Sequence, residues 1–184
     1  MTSDLRWRIV VLQIVMVVSL AFASGFLFWA ANFTHNYVHD ELVSQRITFP
    51  AANSPSINAL PAADAQAMRQ YAGQALDSGD KANTWANHFI AVHLRAIGGG
   101  KTYSEVSALS LAQPKNQALA GEVQTLFRGE TLRGLLLNAW GWATVGMYSL
   151  YAAIVATVAA VAVFLALLYE AIIAPGRRPN SVRS

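Results

Sequence analysis

GLLLNAWGWATVGMYSLYAAIVATVAAVAVFLALLY, residues Gly134–Tyr169, runs for 36 residues without an aspartate, glutamate, lysine or arginine. A bilayer core is about 30 Å thick and is crossed by about 20 apolar residues in helical form. As one helix the stretch would reach roughly 54 Å at 1.5 Å per residue, so only part of it can lie in lipid. The expected crossing is 146–168. Trp140, Trp142, Tyr148 and Tyr151 form an aromatic belt at one edge and Tyr169 marks the other, because amphipathic rings favour the headgroup region. The remainder, 134–145, is expected as an interfacial helix at the membrane surface, or as a helical extension packed against the domain before it.

A second charge-free stretch, 9–31, reads IVVLQIVMVVSLAFASGFLFWAA, with Gln13 as its most polar member. Its 23 residues suffice for one crossing, and Trp7 and Trp29 stand near its ends. A cleaved signal peptide is the rival reading: Arg6 and Arg8 would form its basic start and Ala21-Phe22-Ala23 its cleavage site. Against it, the apolar run continues through Phe26, Leu27, Phe28 and Trp29, so that site lies inside the hydrophobic stretch. An uncleaved anchor is the expectation.

Between the two runs the charges balance: Asn32–Leu137 holds eight basic and eight acidic residues. The net surplus of +3 sits at the ends, on Arg6, Arg8, Arg177, Arg178 and Arg183. A nucleic-acid binder concentrates basic side chains on its folded face to neutralise phosphates; this chain does not, so no nucleic-acid partner is expected. Positive charge beside a span favours the cytoplasmic side. The expectation is a multi-pass protein of the cell membrane with a cytoplasmic tail 1–8, a basic cytoplasmic tail 169–184, and the intervening domain outside. With no cysteine, disulfides, thiolate metal sites and cysteine nucleophiles are excluded.

The intervening chain reads as helical. In 32–61, a continuation of the first helix (Phe33, Tyr37, Val38 and Leu42 at helical spacing) leads into a connector punctuated by Pro50, Pro55 and Pro61. In 62–133, helices are expected from Ala62 to Leu76, from Asp80 (as N-cap) to Ile97, from Thr102 to before Pro114, and from Lys115 to Phe127, where Gly129 ends the last. Trp85, Phe89, Val92 and Ile97 would point inward. Thr102-Tyr-Ser-Glu105 fits a capping box. The fold class is therefore an all-α membrane protein, two transmembrane helices bracketing a small helical bundle.

Few residues carry chemistry. Gly98-Gly-Gly-Lys101-Thr102 resembles the end of a phosphate-binding loop, but Arg95 stands where that loop needs glycine and a helix precedes it instead of a strand; a helix stop and an N-cap explain it. His35 and His39, four apart, share a helical face and are the one plausible metal pair, short of the three or four ligands a site needs. His88 and His93 diverge by about 140° on a helix. No nucleophile-elbow sequence accompanies the serines. No ionisable side chain lies mid-span to carry protons or ions, and no histidine lies there to hold haem. No cofactor is expected.

Interaction surfaces are better represented. Ala152, Ala156 and Ala160 share one face of the second apolar run, and Ala21 and Gly25 one face of the first. Small residues let helix backbones approach closely in lipid, either between these two helices or toward a partner subunit. Trp140 and Trp142, in a stretch too apolar for free exposure to water, are further docking candidates.

The stretches GKTYSEVSALSLAQP (Gly100–Pro114) and LFRGETLRGLLLNAWGW (Leu126–Trp142) resemble a group of actinobacterial two-helix membrane proteins of unknown function, some of them labelled aromatic ring-opening dioxygenase. The resemblance would cover most of the chain. It implies the two-helix architecture, but the label does not carry over: a non-haem iron oxygenase needs two histidines and a carboxylate in a protected cavity, and no such pattern is present. The expected function is that of a non-enzymatic accessory protein, a subunit or assembly factor of a larger membrane complex, whose partners are other membrane subunits or a second copy, besides the bilayer. An extracytoplasmic sensor acting through a partner and a metal binder using His35 and His39 are the alternatives.

Overall fold

The computed structural model describes residues 3–173; of the expected basic tail, 174–184 lies outside them. The helices are α1 (Ser3–Ser44), α2 (Pro55–Asn58), α3 (Ala62–Arg69), α4 (Gly79–Trp85), α5 (Ala91–Ile97), α6 (Tyr103–Ala112) and α7 (Gln117–Leu168), with π-helical turns at Ala86–Ile90 and Tyr169–Ile173. No strand occurs among the described residues. The chain divides into two compact units, one of 3–33 with 146–173 and one of Thr34–Val145.

The first unit pairs two helices long and apolar enough to cross a membrane. Proline is absent from both, and their leucine, methionine and alanine content favours helix. Their most apolar windows are only 6% and 11% buried. The seam between them is small and polar: Ser24 (6% exposed) lies against Ala153 (0%). The Ser24 hydroxyl is 3.2 Å from the Ala153 carbonyl oxygen and 2.6 Å from the Thr157 hydroxyl. Thr157 also donates to Ala153 at 2.8 Å. Such interhelical hydrogen bonds contribute about 0.6 kcal/mol each in lipid. Near the ends, the Arg6 guanidinium donates to the Glu170 carbonyl oxygen.

The second unit is built on a core of Val38 and Leu42 from α1, Phe49, Ile57 and Leu60 from the connector, Met68, Leu76, Ala82, Ala86, Ile90, Leu94 and Val106, and Leu126 and Leu136 from α7. The connector is more structured than its prolines imply. Ser54 caps the short α2 with Pro55 at its first position, a place where proline's missing N–H costs nothing. Phe49 donates to Gln74 (2.9 Å), Gly73 to Phe49 (3.1 Å) and Leu76 to Ile47 (2.9 Å), around an isolated antiparallel bridge between Thr48 and Ala75.

These bonds correct one expected boundary, and the next segment departs from expectation in its register. The helix expected from Ala62 to Leu76 ends at Arg69, because the following residues turn through Gly73 at φ 73° to meet the connector. The helix beginning near Asp80 contains a π turn, and Ile97, expected inward, is 42% exposed while Leu94 is 6% exposed. A third correction concerns α7. Gly129 was expected to end a helix; instead α7 is continuous from Gln117 to Leu168. Gly129 is a packing notch: a Cβ there would stand 2.3 Å from a Leu94 methyl. Phe127, where that helix was expected to finish, is 53% exposed.

Candidate functional site

In Thr34–Val145, the stretch of α7 from 134 to 145 has two faces. Leu136 is buried in the core, and Leu137, Ala139 and Ala143 pack against it. This places it as an extension packed on its own domain. Leu135 (65% exposed), Trp140 (39%) and Trp142 (49%) turn outward.

Trp142 is one wall of a cleft of about 270 Å³ formed with the later part of α1. Val38, Leu42, Ile47, Leu132 and Leu135 give it apolar sides, and Glu41, Gln45 and Asn138 supply its polar groups. α1 contributes by its 3.6-residue repeat: Thr34, Val38 and Leu42 are buried while Glu41 and Gln45, on the flank, face outward. A concave apolar surface with a few polar groups is the usual form of a ligand or segment site. Here it fits an apolar side chain or helix edge, with Glu41 to fix orientation.

The small-residue candidates separate. Gly25, Ala21 and Ala152 are exposed, and a Cβ at Gly25 would meet nothing within 4 Å. Ala156 and Ala160 are half-buried. The two helices therefore meet through Ser24, Ala153 and Thr157, a seam one residue away from the expected face of the second helix. The signal that could have found it is the pair of hydroxyls set within otherwise apolar runs.

His35 and His39 stack with ring centroids 6.5 Å apart. His39 is engaged with the carbonyl of Asp77, its Nδ1 donating at 3.0 Å. Among the described residues no three histidine, aspartate or glutamate side chains come together as a metal-binding group. His88 Nδ1 lies 2.7 Å from Asp64 Oδ1, a pairing that sequence spacing did not reveal because it joins α3 to the π turn. It has the form of a base and its orienting carboxylate, yet among the described residues no hydroxyl is bonded to that histidine. It ties two helices together. His93 bonds back to the Phe89 carbonyl at 2.7 Å.

The glycine-rich loop behaves as a helix junction. Gly98 caps α5, and Gly99 and Gly100 take φ of 57° and 83°, backbone that glycine adopts without strain. Thr102 caps α6 with a complete capping box. The Thr102 N–H and hydroxyl both donate to Glu105, at 2.7 and 2.9 Å. These bonds, with a smaller contribution from the charge of Lys101, hold the Glu105 carboxyl below its ordinary pKa. No protein-family model, no curated protein and no solved structure matches the chain.

Proposed function

We propose that the chain is an integral protein of the cell membrane. It crosses the bilayer twice, has both termini in the cytoplasm, and acts without catalysis as an accessory subunit or assembly factor of a larger membrane complex. The observation that carries the membrane reading is the exposure of its two apolar helices. Phe22, Val155 and Val158 are 77%, 68% and 64% exposed, whereas the core helix of a soluble protein would bury such side chains. Contiguous apolar surface of this kind needs lipid or protein to cover it.

Orientation rests on the arginines of the two tails. Single cysteines at Ser54→Cys and Ser181→Cys, probed with an impermeant maleimide on intact cells, test it. Labelling at position 54 alone is expected. Labelling at position 181 alone would reverse the topology, and labelling at both would reduce the chain to a single crossing.

The docking role rests on Trp140, Trp142 and the cleft beside Trp142, with the open small-residue face of Ala21 and Gly25 as a second contact. Aromatic anchors next to a pocket are the usual interface hot spots, where truncation costs about 2 kcal/mol or more, roughly thirtyfold in affinity. Trp140→Ala/Trp142→Ala is expected to lose stoichiometric partners in affinity purification from detergent, with expression and thermal stability unchanged. Unfolding of the variant would assign both rings to internal packing. Unchanged association and unchanged stability would remove the docking role.

A further inference from the structure

The loop that resembles a phosphate-binding loop does not act as one, since its N–H groups are spent on its own turn: Gly99 donates to Ala96 (3.2 Å), Gly100 to Arg95 (2.8 Å) and Lys101 to Gly98 (2.9 Å). What the loop does is bring side chains together. Arg95 from the last turn of α5, Lys101 from the loop and Arg133 from α7 line one cleft of about 170 Å³, with Glu130 as its one carboxylate. Asn32–Leu137 as a whole is neutral, with eight basic and eight acidic residues. Three of the eight basic groups and one of the eight acidic groups therefore meet at this place.

We propose that this cleft binds a small oxyanion of the phosphate type through Arg95, Lys101 and Arg133. Three features support it. First, among the described residues Arg95 and Lys101 have no carboxylate within ion-pair distance; Glu105, whose charge Lys101 feels, is committed to the Thr102 cap. Second, Arg133 is only partly satisfied. Its Nη1 donates to Glu130 at 3.3 Å and its Nη2 to Asn87 Oδ1 at 3.0 Å, which leaves Nε buried without an acceptor. A guanidinium presents its N–H groups as a planar fork matched to carboxylate and phosphate oxygens, and each terminal nitrogen of Arg133 carries a second N–H beyond the bond it makes. Third, the size fits. Sites for drug-sized molecules run to about 300–1,000 Å³, and at about 170 Å³ this cleft is nearer the size of a single phosphate group. The backbone that carries Arg95 and Lys101 is held before binding, since the loop is pinned at both ends by α5 and by the capping box of α6.

The oxyanion can be free in solution or the phosphodiester of a lipid headgroup, and one pair of measurements separates these. The whole chain in detergent is unfolded thermally in potassium phosphate and in potassium chloride of equal ionic strength. In parallel, it is reconstituted with phosphatidylglycerol and phosphatidylcholine and the retained lipid is identified by native mass spectrometry. Arg95 and Lys101 are exposed, so Arg95→Ala/Lys101→Ala leaves the fold intact, and its melting in chloride checks this. A specific site raises the melting point in phosphate through mass action, and the double variant weakens that apparent affinity at least about tenfold, as loss of charge-assisted bonds should. That result assigns a free oxyanion. Phosphatidylglycerol retained by the wild-type chain and lost from the variant, with no rise in free phosphate, assigns the headgroup. Equal responses of both chains to phosphate and equal lipid retention overturn the proposal.

Discussion

Phe49→Ala is expected to destabilise the Thr34–Val145 unit by about 3–5 kcal/mol, the usual cost of removing a buried aromatic side chain. Phe49 is 2% exposed. Its ring stands edge-on to Trp85 at 5.0 Å and tilted against Tyr71 at 5.4 Å, arrangements that add about 0.5–1.5 kcal/mol beyond area burial. Its backbone also holds the connector, bonding Gln74 and Gly73. Since a single domain has about 5–15 kcal/mol in all, the loss would leave the unit marginal. Chemical denaturation in detergent, followed by tryptophan fluorescence, measures it, with Phe49→Leu as the milder comparison. A loss below about 1 kcal/mol, the range of surface changes, would show that the connector lies on the domain without being part of its core.

That result bears on how much of the fold the residues announce. The helices of the apolar runs follow from uncharged length alone, and the buried Val38 and Leu42 follow from a 3.6-residue repeat. Phe49 was passed over, because three prolines nearby read as an extended connector. Its burial comes from a pairing with Gln74 that no local pattern encodes. The register of the α4–α5 region failed for a different reason. Its buried side chains are those of Ala82, Ala86, Ile90 and Leu94, a strict spacing of four. In an α-helix each such step drifts by about 40°, and the π turn at Ala86–Ile90, closing at the fifth residue, takes up the drift. Reading the same segment at 3.6 residues per turn sends Ile97 inward in place of Leu94.

The candidate sites show the same division. Trp142 is conspicuous in sequence as an aromatic in an apolar run, but its cleft is not, since Glu41 and Gln45 come from one end of the domain's chain and Leu132 and Leu135 from the other. The cationic cleft was half visible. Lys101 and Arg95 flank a glycine run that invites a phosphate reading, yet the third group, Arg133, arrives only through the packing of α7 across Leu94. Gly129, with no side chain, leaves Leu94 its place in that packing, so a residue read as a helix stop instead helps to position the cleft's third cation.

A close approach between α4 and α7 sets the second large effect. A Cβ added at Gly79 would stand 2.3 Å from the Ala143 Cβ, 3.3 Å from the Trp140 Cα and 3.7 Å from the Ala139 carbonyl oxygen. These neighbours are backbone or directly attached to it, so no rotamer change relieves them, unlike the Leu94 methyl opposite Gly129. The start of α4 would have to move away from α7. Gly79→Ala is therefore expected to cost about 3 kcal/mol, the upper part of the overpacking range, while Gly129→Ala costs less, because Leu94 can swing aside and alanine regains about 1 kcal/mol of helix propensity. A compensating change makes the claim specific. Ala143→Gly alone should destabilise by about 1 kcal/mol as a glycine inside a helix, yet combined with Gly79→Ala it removes the obstructing atom. The double variant should then be more stable than Gly79→Ala, a coupling of the size seen for residues in contact, about 0.5–3 kcal/mol. Simple addition of the two single losses would mean that α4 and α7 do not meet at Gly79 and Ala143. The outward face carrying Trp140 and Trp142 would then lack the support that this contact gives it from behind.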